Sequence, residues 1–572
     1  MAVHRTRAGR ALGLVALAAL ALSHTAYDAS AATTAVKASV RKGVLTVTGS
    51  ADPDVITLRL RLGDPSTLEV DLGADGTADF AFDRSLFTSI AVNGAGGVDR
   101  MTADSANGPF TDTEATTLDG GSDGDALIGT IGAERLVGGA GDDVLSGGLG
   151  ADIVVAGDGA DLVTWEPGGG SDTVDGGTGA DRLQFQASNA SETIGLTPTA
   201  VGHVRLSRDI AAVALDLAGV EAVDLRLFGG TDTVTAADLA GTGLNTVTAD
   251  LAGASGDDAQ TDEVAVPAGV VVGRDGTATV VDGLGTRLRV VNGGSGDRVH
   301  VTGTSAPDER VTLAGTDAAD DITALISDGD VLVQGATPGL EFRISGADLL
   351  DFKLAGGDDS YTTIGSVAGL VSLHVDGGDG ADVISGGAGP EAMSGGPGDD
   401  LLMWQPGGGS DTVDGDAGND RLAFHGSNIS EVLDLSANPD GHVRLARDIG
   451  NVTLDVAGIE AADLGLLGGG DHVLVDDLTG TALTTVNADL SSSLGTSDGL
   501  DDEVVLFGTP ADDTVTVFAD SGAVVTQGLP ATVRVSAADP TLDRLTVYAL
   551  RGNDSVTASP DAASLIQLAL FG

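Results

Sequence analysis

The residues in this sequence best placed to do chemistry are acids that recur every nine positions behind clusters of glycine. One array reads GGSDGDALI (120–128), GTIGAERLV (129–137), GGAGDDVLS (138–146), GGLGADIVV (147–155) and AGDGADLVT (156–164). After Trp165-Glu166 it resumes with PGGGSDTVD (167–175) and GGTGADRLQ (176–184). A second array reads GGDGADVIS (377–385), GGAGPEAMS (386–394) and GGPGDDLLM (395–403), then, past Trp404-Gln405, PGGGSDTVD (406–414) and GDAGNDRLA (415–423). Five units fit G-G-x-G-x-D-x-U-x, with U a large aliphatic residue. The sixth position offers a hard carboxylate, and glycines at the first, second and fourth let the backbone turn its carbonyls inward. That donor set suits Ca²⁺, which takes six to eight oxygens. One loop supplies too few, so the loops must stack.

These units resemble the haemolysin-type calcium-binding repeat (RTX) family, whose members include secreted bacterial proteins. The resemblance implies a turn from the first six residues and a short strand from the last three. It implies two units per coil of a parallel β-roll, with each calcium between loops one coil apart. Asp125 then stacks with Asp143, Asp143 with Asp161, and Glu134 with Asp152. Across the two-residue insert, Asp152 would meet Asp172 and Asp161 would meet Asp181. In the second array the pairs are Asp382–Asp400, Glu391–Asp411 and Asp400–Asp420. Asp123 replaces a fourth-position glycine, Pro390 stands at a fifth position, and Glu134 and Glu391 replace aspartate, which makes those loops weaker candidates.

Other candidates carry less. Asp71, Asp75 and Asp79 imitate a DxDxDG loop, but Gly73 holds its third position and Phe82 its twelfth, so an Asp-Gly turn is the better reading. GGSDG (120–124) fits G-x-S-x-G without the strand-then-helix setting of a nucleophile elbow. No H-E-x-x-H occurs. His203 and His442 are expected to pack on a strand face, Trp165 and Trp404 to plug the insert rather than stack on sugars, and Arg205, Arg208, Arg444 and Arg447 to form surface ion pairs with Asp209 and Asp448.

Charge narrows the partners. The chain of 572 residues has 85 acids against 28 bases, a net charge of −57, which argues against nucleic acid and anionic membranes. Of the acids 72 are Asp and 13 Glu, the balance of a turn-rich rather than a helical protein. With no cysteine there is no disulfide, thiolate metal site or thiol nucleophile. At 42 % hydrophobic the chain is too apolar for an acidic disordered one. Arg5, Arg7 and Arg10, the apolar run 11–23 and Ala29-Ser30-Ala31 read as a signal peptide over 1–31, so the mature chain is expected to be secreted, with no membrane span.

The elements that must position the acids read as strands. VLTVTG (44–49), VITLRLRLG (55–63) and TVTVF (514–518) alternate, and Gly, Asp and Asn punctuate at short intervals. Residues 165–251 match 404–490 without a gap, and 315–323 resemble 508–516. The reading is an N-terminal β domain (32–117), array 1 (118–185), a β-rich connecting region (186–375), array 2 (376–424) and a C-terminal β region (425–572). The fold expected is all-β, an elongated parallel β-solenoid with two RTX-type β-roll segments; the alternative is β-sandwich-like domains joined by rolls.

The function expected is a secreted, non-catalytic calcium-binding repeat protein whose rolls fold on extracellular calcium, in contact with a cell-surface or matrix component. A secreted carbohydrate-active enzyme, of lyase or epimerase type on a β-helix, is the alternative. A toxin or protease would need a catalytic or pore-forming domain of which the sequence carries no motif.

Overall fold

A five-residue strand with alternating apolar residues turns only two or three side chains inward, too few for a core of its own. Stacked in parallel register, such strands join those side chains into a continuous column. The computed structural model describes residues 36–572 except 254–255, 257–259, 295, 305, 337–339 and 368. The expected signal peptide, 1–31, lies outside the described residues. Among these there is no α-helix, only short 3₁₀ turns, and no helix long and apolar enough to cross a membrane. The chain divides into two compact units at the bond from Asp161 to Leu162, inside the first array.

The first unit opens with an antiparallel hairpin, Lys37–Arg41 on Val44–Thr48. From there Val44–Thr48, Ser89–Gly96, Ala115–Ser122, Glu134–Ala140 and Ile153–Gly159 stack in parallel. Their register lines up Val47, Val92, Leu118, Leu136 and Val154, all buried. A second sheet stacks Val55–Arg61, Arg100–Asp104, Ala126–Ile128 and Val144–Ser146, aligning Ile56, Met101, Leu127 and Leu145. Each such side chain contributes about 1.5–3 kcal/mol by burial.

The second unit repeats the plan. One column runs Ile322, Tyr361, Ile384, Leu402, Leu422, Ala462, Val486 and Val533 through parallel neighbours. The column passes from the connecting region through the second array into the C-terminal region without a break. The fold is therefore an all-β parallel solenoid with β-roll segments, and the alternative of separate sandwiches is not adopted: both sheets of each coil face one narrow shared core.

Antiparallel excursions interrupt the coils. Thr193–Ala200, His203–Arg208 and Val213–Ala218 form one, and Val432–Ala437, Val443–Arg447 and Val452–Ala457 are its duplicate. The two copies extend opposite sheets. Asp321–Ser327 and Thr514–Asp520 open another matched pair, which is the structural form of the likeness between 315–323 and 508–516.

Candidate metal centre

The nonapeptide dictates a corner at each loop. Its second residue lies in the left-handed region at Gly121 (φ 107°), Gly139 (117°), Gly378 (94°) and Gly396 (104°). There the carbonyl of one loop points at the glycine of the next: Gly121 O at Gly139, Gly139 O at Gly157 and Gly378 O at Gly396. Fourth-position carbonyls do the same, Gly141 O toward Gly159 and Gly380 O toward Gly398. A Cβ on any of these receiving glycines would stand closer than 3.0 Å to that oxygen.

Stacked loops place the sixth-position acids one above another. Asp125 donates its backbone N–H to Asp143 Oδ1 at 2.6 Å, and Asp143 donates to Asp161 Oδ1 at 2.8 Å. Glu134 donates to Asp152 Oδ1 at 2.8 Å. In the second array the same bond links Asp382 to Asp400 (2.7 Å), Asp400 to Asp420 (2.9 Å) and Glu391 to Asp411 (2.9 Å). Asp172 and Asp181 are likewise buried, in the second unit.

One oxygen of each carboxylate is thus used, and the other distinguishes the loops. Oδ2 of Asp125, Asp143, Asp382, Asp400, Asp411 and Asp420 is buried without a hydrogen-bond partner among the described residues. The residue four positions earlier is left-handed, and its N–H makes no bond to that oxygen. At two loops where that residue has ordinary backbone its N–H caps the acid: Thr130 donates to Glu134 Oε2 at 3.3 Å and Ser427 to Glu431 Oε1 at 2.7 Å, whereas both oxygens of Glu391 are buried without a partner among the described residues.

Burial raises Asp125, Asp143, Asp382, Asp400 and Asp420, with neighbouring carboxylates adding to it and the ladder N–H opposing. Asp143 is pushed up to about 7, and Asp125, Asp382 and Asp420 to about 6. Glu391 is pushed up to about 8, by burial and then by Asp411. A bare, buried oxygen on a carboxylate that resists ionisation is an acceptor in want of a cation. Among the described residues no three His, Asp or Glu converge on one point. A cation here would therefore be held by stacked carboxylates together with backbone carbonyls, an all-oxygen set that fits Ca²⁺.

The ladder runs past the arrays. Asp54 donates to Asp99 Oδ1 and Asp99 to Asp125 Oδ1; Asp320 donates to Asp359 Oδ1 and Asp359 to Asp382 Oδ1. Asp420 donates on to Glu460 Oε2, and a separate run of the same bond links Glu431, Asp471, Asp502 and Asp543 downstream. The sequence reading missed these residues, although GAGGVD (94–99) and LAGGDD (354–359) are one or two substitutions from the repeat.

Other candidates resolve differently. Asp71, Asp75 and Asp79 do not converge: Arg59 pairs with Asp71, and the three accept the N–H groups of Gly76, Thr77 and Leu72, respectively, in a closed turn. Trp165 and Trp404 are buried plugs, stacked on Phe185 and Phe424 at 4.3 and 4.4 Å. Arg208 and Arg447 are not on the surface; the hairpins carry them inward to Glu192 and Glu431. His203 and His442 pair with Asp216 and Asp455 on the outer face instead of packing.

Fold and corner chemistry together define a calcium-binding repeat protein built as a solenoid. Comparison with protein families bears this out: the RTX calcium-binding nonapeptide repeat matches four segments, 128–163, 168–184, 374–402 and 407–424, less than a fifth of the chain. No curated protein matches the chain.

Proposed function

We propose that this is a secreted, non-catalytic protein whose coils fold on extracellular calcium, serving surface or matrix structure or adhesion. One observation carries the reading: buried carboxylate oxygens without partners recur in register at steps of 18 to 20 residues. Asp125, Asp143, Asp382, Asp400, Asp411 and Asp420 would hold the ions, with Asp152 and Asp161 in the ladders of the first unit and Asp172 and Asp181 buried at the same repeat position in the second. Bound calcium would neutralise paired carboxylates and tie adjacent coils together. Without that neutralisation, like charges a few ångströms apart oppose closure of the roll. The signal-like N-terminus and typical habit of RTX proteins support secretion, and the net charge of −57 supports a protein adapted to calcium-rich surroundings.

The test is calcium titration of the mature protein, followed by far-ultraviolet circular dichroism and calorimetry. The expected result is a cooperative gain of β-structure as calcium binds. Full structure in chelator with no binding heat sinks the reading. Depolymerisation of acidic polysaccharides by the calcium-loaded protein would show it to be an enzyme instead.

A further inference from the structure

Resting on that calcium reading, we propose that both ladders of ions begin one coil before the recognised repeats, at Asp99 and Asp359, and stop at Asp54 and Asp320. Neither Asp99 nor Asp359 lies in a segment that matches the repeat family.

Asp99 is 1 % exposed and Asp359 2 %. Each occupies a ladder rung: Asp99 Oδ1 accepts from Asp54 at 2.8 Å while its N–H reaches Asp125 Oδ1 at 2.7 Å. Asp359 Oδ1 accepts from Asp320 at 2.7 Å, and its N–H reaches Asp382 Oδ1 at 2.8 Å. In both, Oδ2 is buried with no hydrogen-bond partner among the described residues.

The surrounding backbone copies the repeat loops. Ala95 and Ala355, four residues before each acid, have φ of 81° and 79°, and their carbonyls face Gly121 and Gly378. Gly357 O faces Gly380 in the same way. A Cβ on Gly94 would collide with Asp99 Oδ2 and Gly120 O, just as one on Gly120 would collide with Asp125 Oδ2 and Gly138 O. Asp359 departs at one point, with Leu354 in place of the first glycine.

One coil further out the pattern breaks at the same place in both arrays. Ser50 caps Asp54 Oδ2 with its N–H at 2.7 Å and its hydroxyl at 3.1 Å. Thr316 caps Asp320 Oδ2 at 2.7 and 3.2 Å. A serine or threonine in ordinary backbone thus closes its own carboxylate. The alanines do the reverse: they bear left-handed backbone strain and leave a buried acceptor unpaired, which is costly in itself. A loop with no ligand has no use for either cost.

The experiment counts calcium bound to the full mature chain by equilibrium dialysis. Asp99→Asn and Asp359→Asn are each expected to lose at least one ion relative to wild type, and Asp54→Asn and Asp320→Asn none. If Asp143→Asn loses ions but Asp99→Asn and Asp359→Asn do not, the extension is overturned and the array reading stands. If Asp143→Asn also keeps every ion, the array reading itself fails. Should a variant not fold, crystals of the wild-type protein grown in calcium decide: an anomalous peak bonded to Asp99 and Asp359 Oδ2, with none at Asp54 or Asp320, is the expected result, and its absence at both overturns the proposal.

Discussion

Asp125 donates its backbone N–H to Oδ1 of Asp143, 18 residues ahead, at 2.6 Å. This bond sets the spacing of the loops and, by engaging one oxygen, aims the other at the glycine corner. Coil stacking and the candidate metal site therefore share a contact. A proton or a cation on the second oxygen should act on the stability of the whole roll.

The first consequence is a pH dependence of opposite sign with and without calcium. Burial raises Asp143 to about 7 and Asp125 and Asp382 to about 6 in the folded chain, against about 3.9 when unfolded. Between those values the folded state binds more protons. The stabilisation is complete below pH 4 and lost as pH rises through 6 to 7. In chelator we expect a higher thermal midpoint at pH 5.5 than at pH 8. In millimolar calcium the order reverses, because calcium binds the ionised form. Thermal melts at both pH values decide it, and a chelated protein more stable at pH 8 contradicts the assignment.

Asp143→Asn and Asp400→Asn should likewise change sign with calcium. Each acid belongs to two stacked pairs. The amide keeps an oxygen for the ladder bond but removes a buried charge, so at pH 8 in chelator the variants gain about 1–3 kcal/mol. In calcium they lose two sites, at about 2.7 kcal/mol each when calcium is 100-fold above its dissociation constant. The β-structure present in chelator, by circular dichroism against wild type, reads the gain, and urea unfolding in calcium reads the loss.

Much of this ladder was legible in the sequence because the nonapeptide keeps strict phase: two units fix the coil at 18 residues, and the Trp404-Gln405 insert makes it 20. Asp99 and Asp359 escaped because alanine replaces the second glycine and the next rung lies 26 and 23 residues on, out of phase. The capping role of Ser50 and Thr316 was invisible, since a hydroxyl four residues before an acid acquires meaning only at a corner. Arg208 and Arg447 were misplaced for another reason. A hairpin returns each to an acid 16 residues earlier, a partner that strand alternation alone does not single out.

Close approach of adjacent loops makes the second glycine far less replaceable than a glycine in an open turn. Gly43 is left-handed at 79°, and a methyl added there would have nothing within 4 Å, whereas Gly139, at 117°, has the Gly121 backbone inside 3.0 Å. Gly43→Ala should cost about 1–2 kcal/mol, equally in chelator and calcium. Gly139→Ala should cost more and raise the calcium needed for folding, because it separates two rungs. Calcium titrations of the two variants by circular dichroism compare them directly.

The buried pair Arg447–Glu431 should by contrast stabilise the second unit without regard to calcium. Glu431 is capped by the N–H of Ser427 and paired with Arg447, which also reaches Ser427 Oγ at 2.9 Å and lies 5.4 Å over the Trp404 ring. Arg447→Ala leaves an uncompensated carboxylate in the interior, a loss of about 3–5 kcal/mol. Removing both charges with Arg447→Met and Glu431→Gln should recover most of it, since the amide keeps the oxygen that Ser427 caps. Trp404, stacked on Phe424 beside the pair, reports the local state through its fluorescence. We expect the single variant to unfold at lower urea by the same margin in chelator and in calcium; a loss confined to calcium would make the pair part of the metal ladder instead.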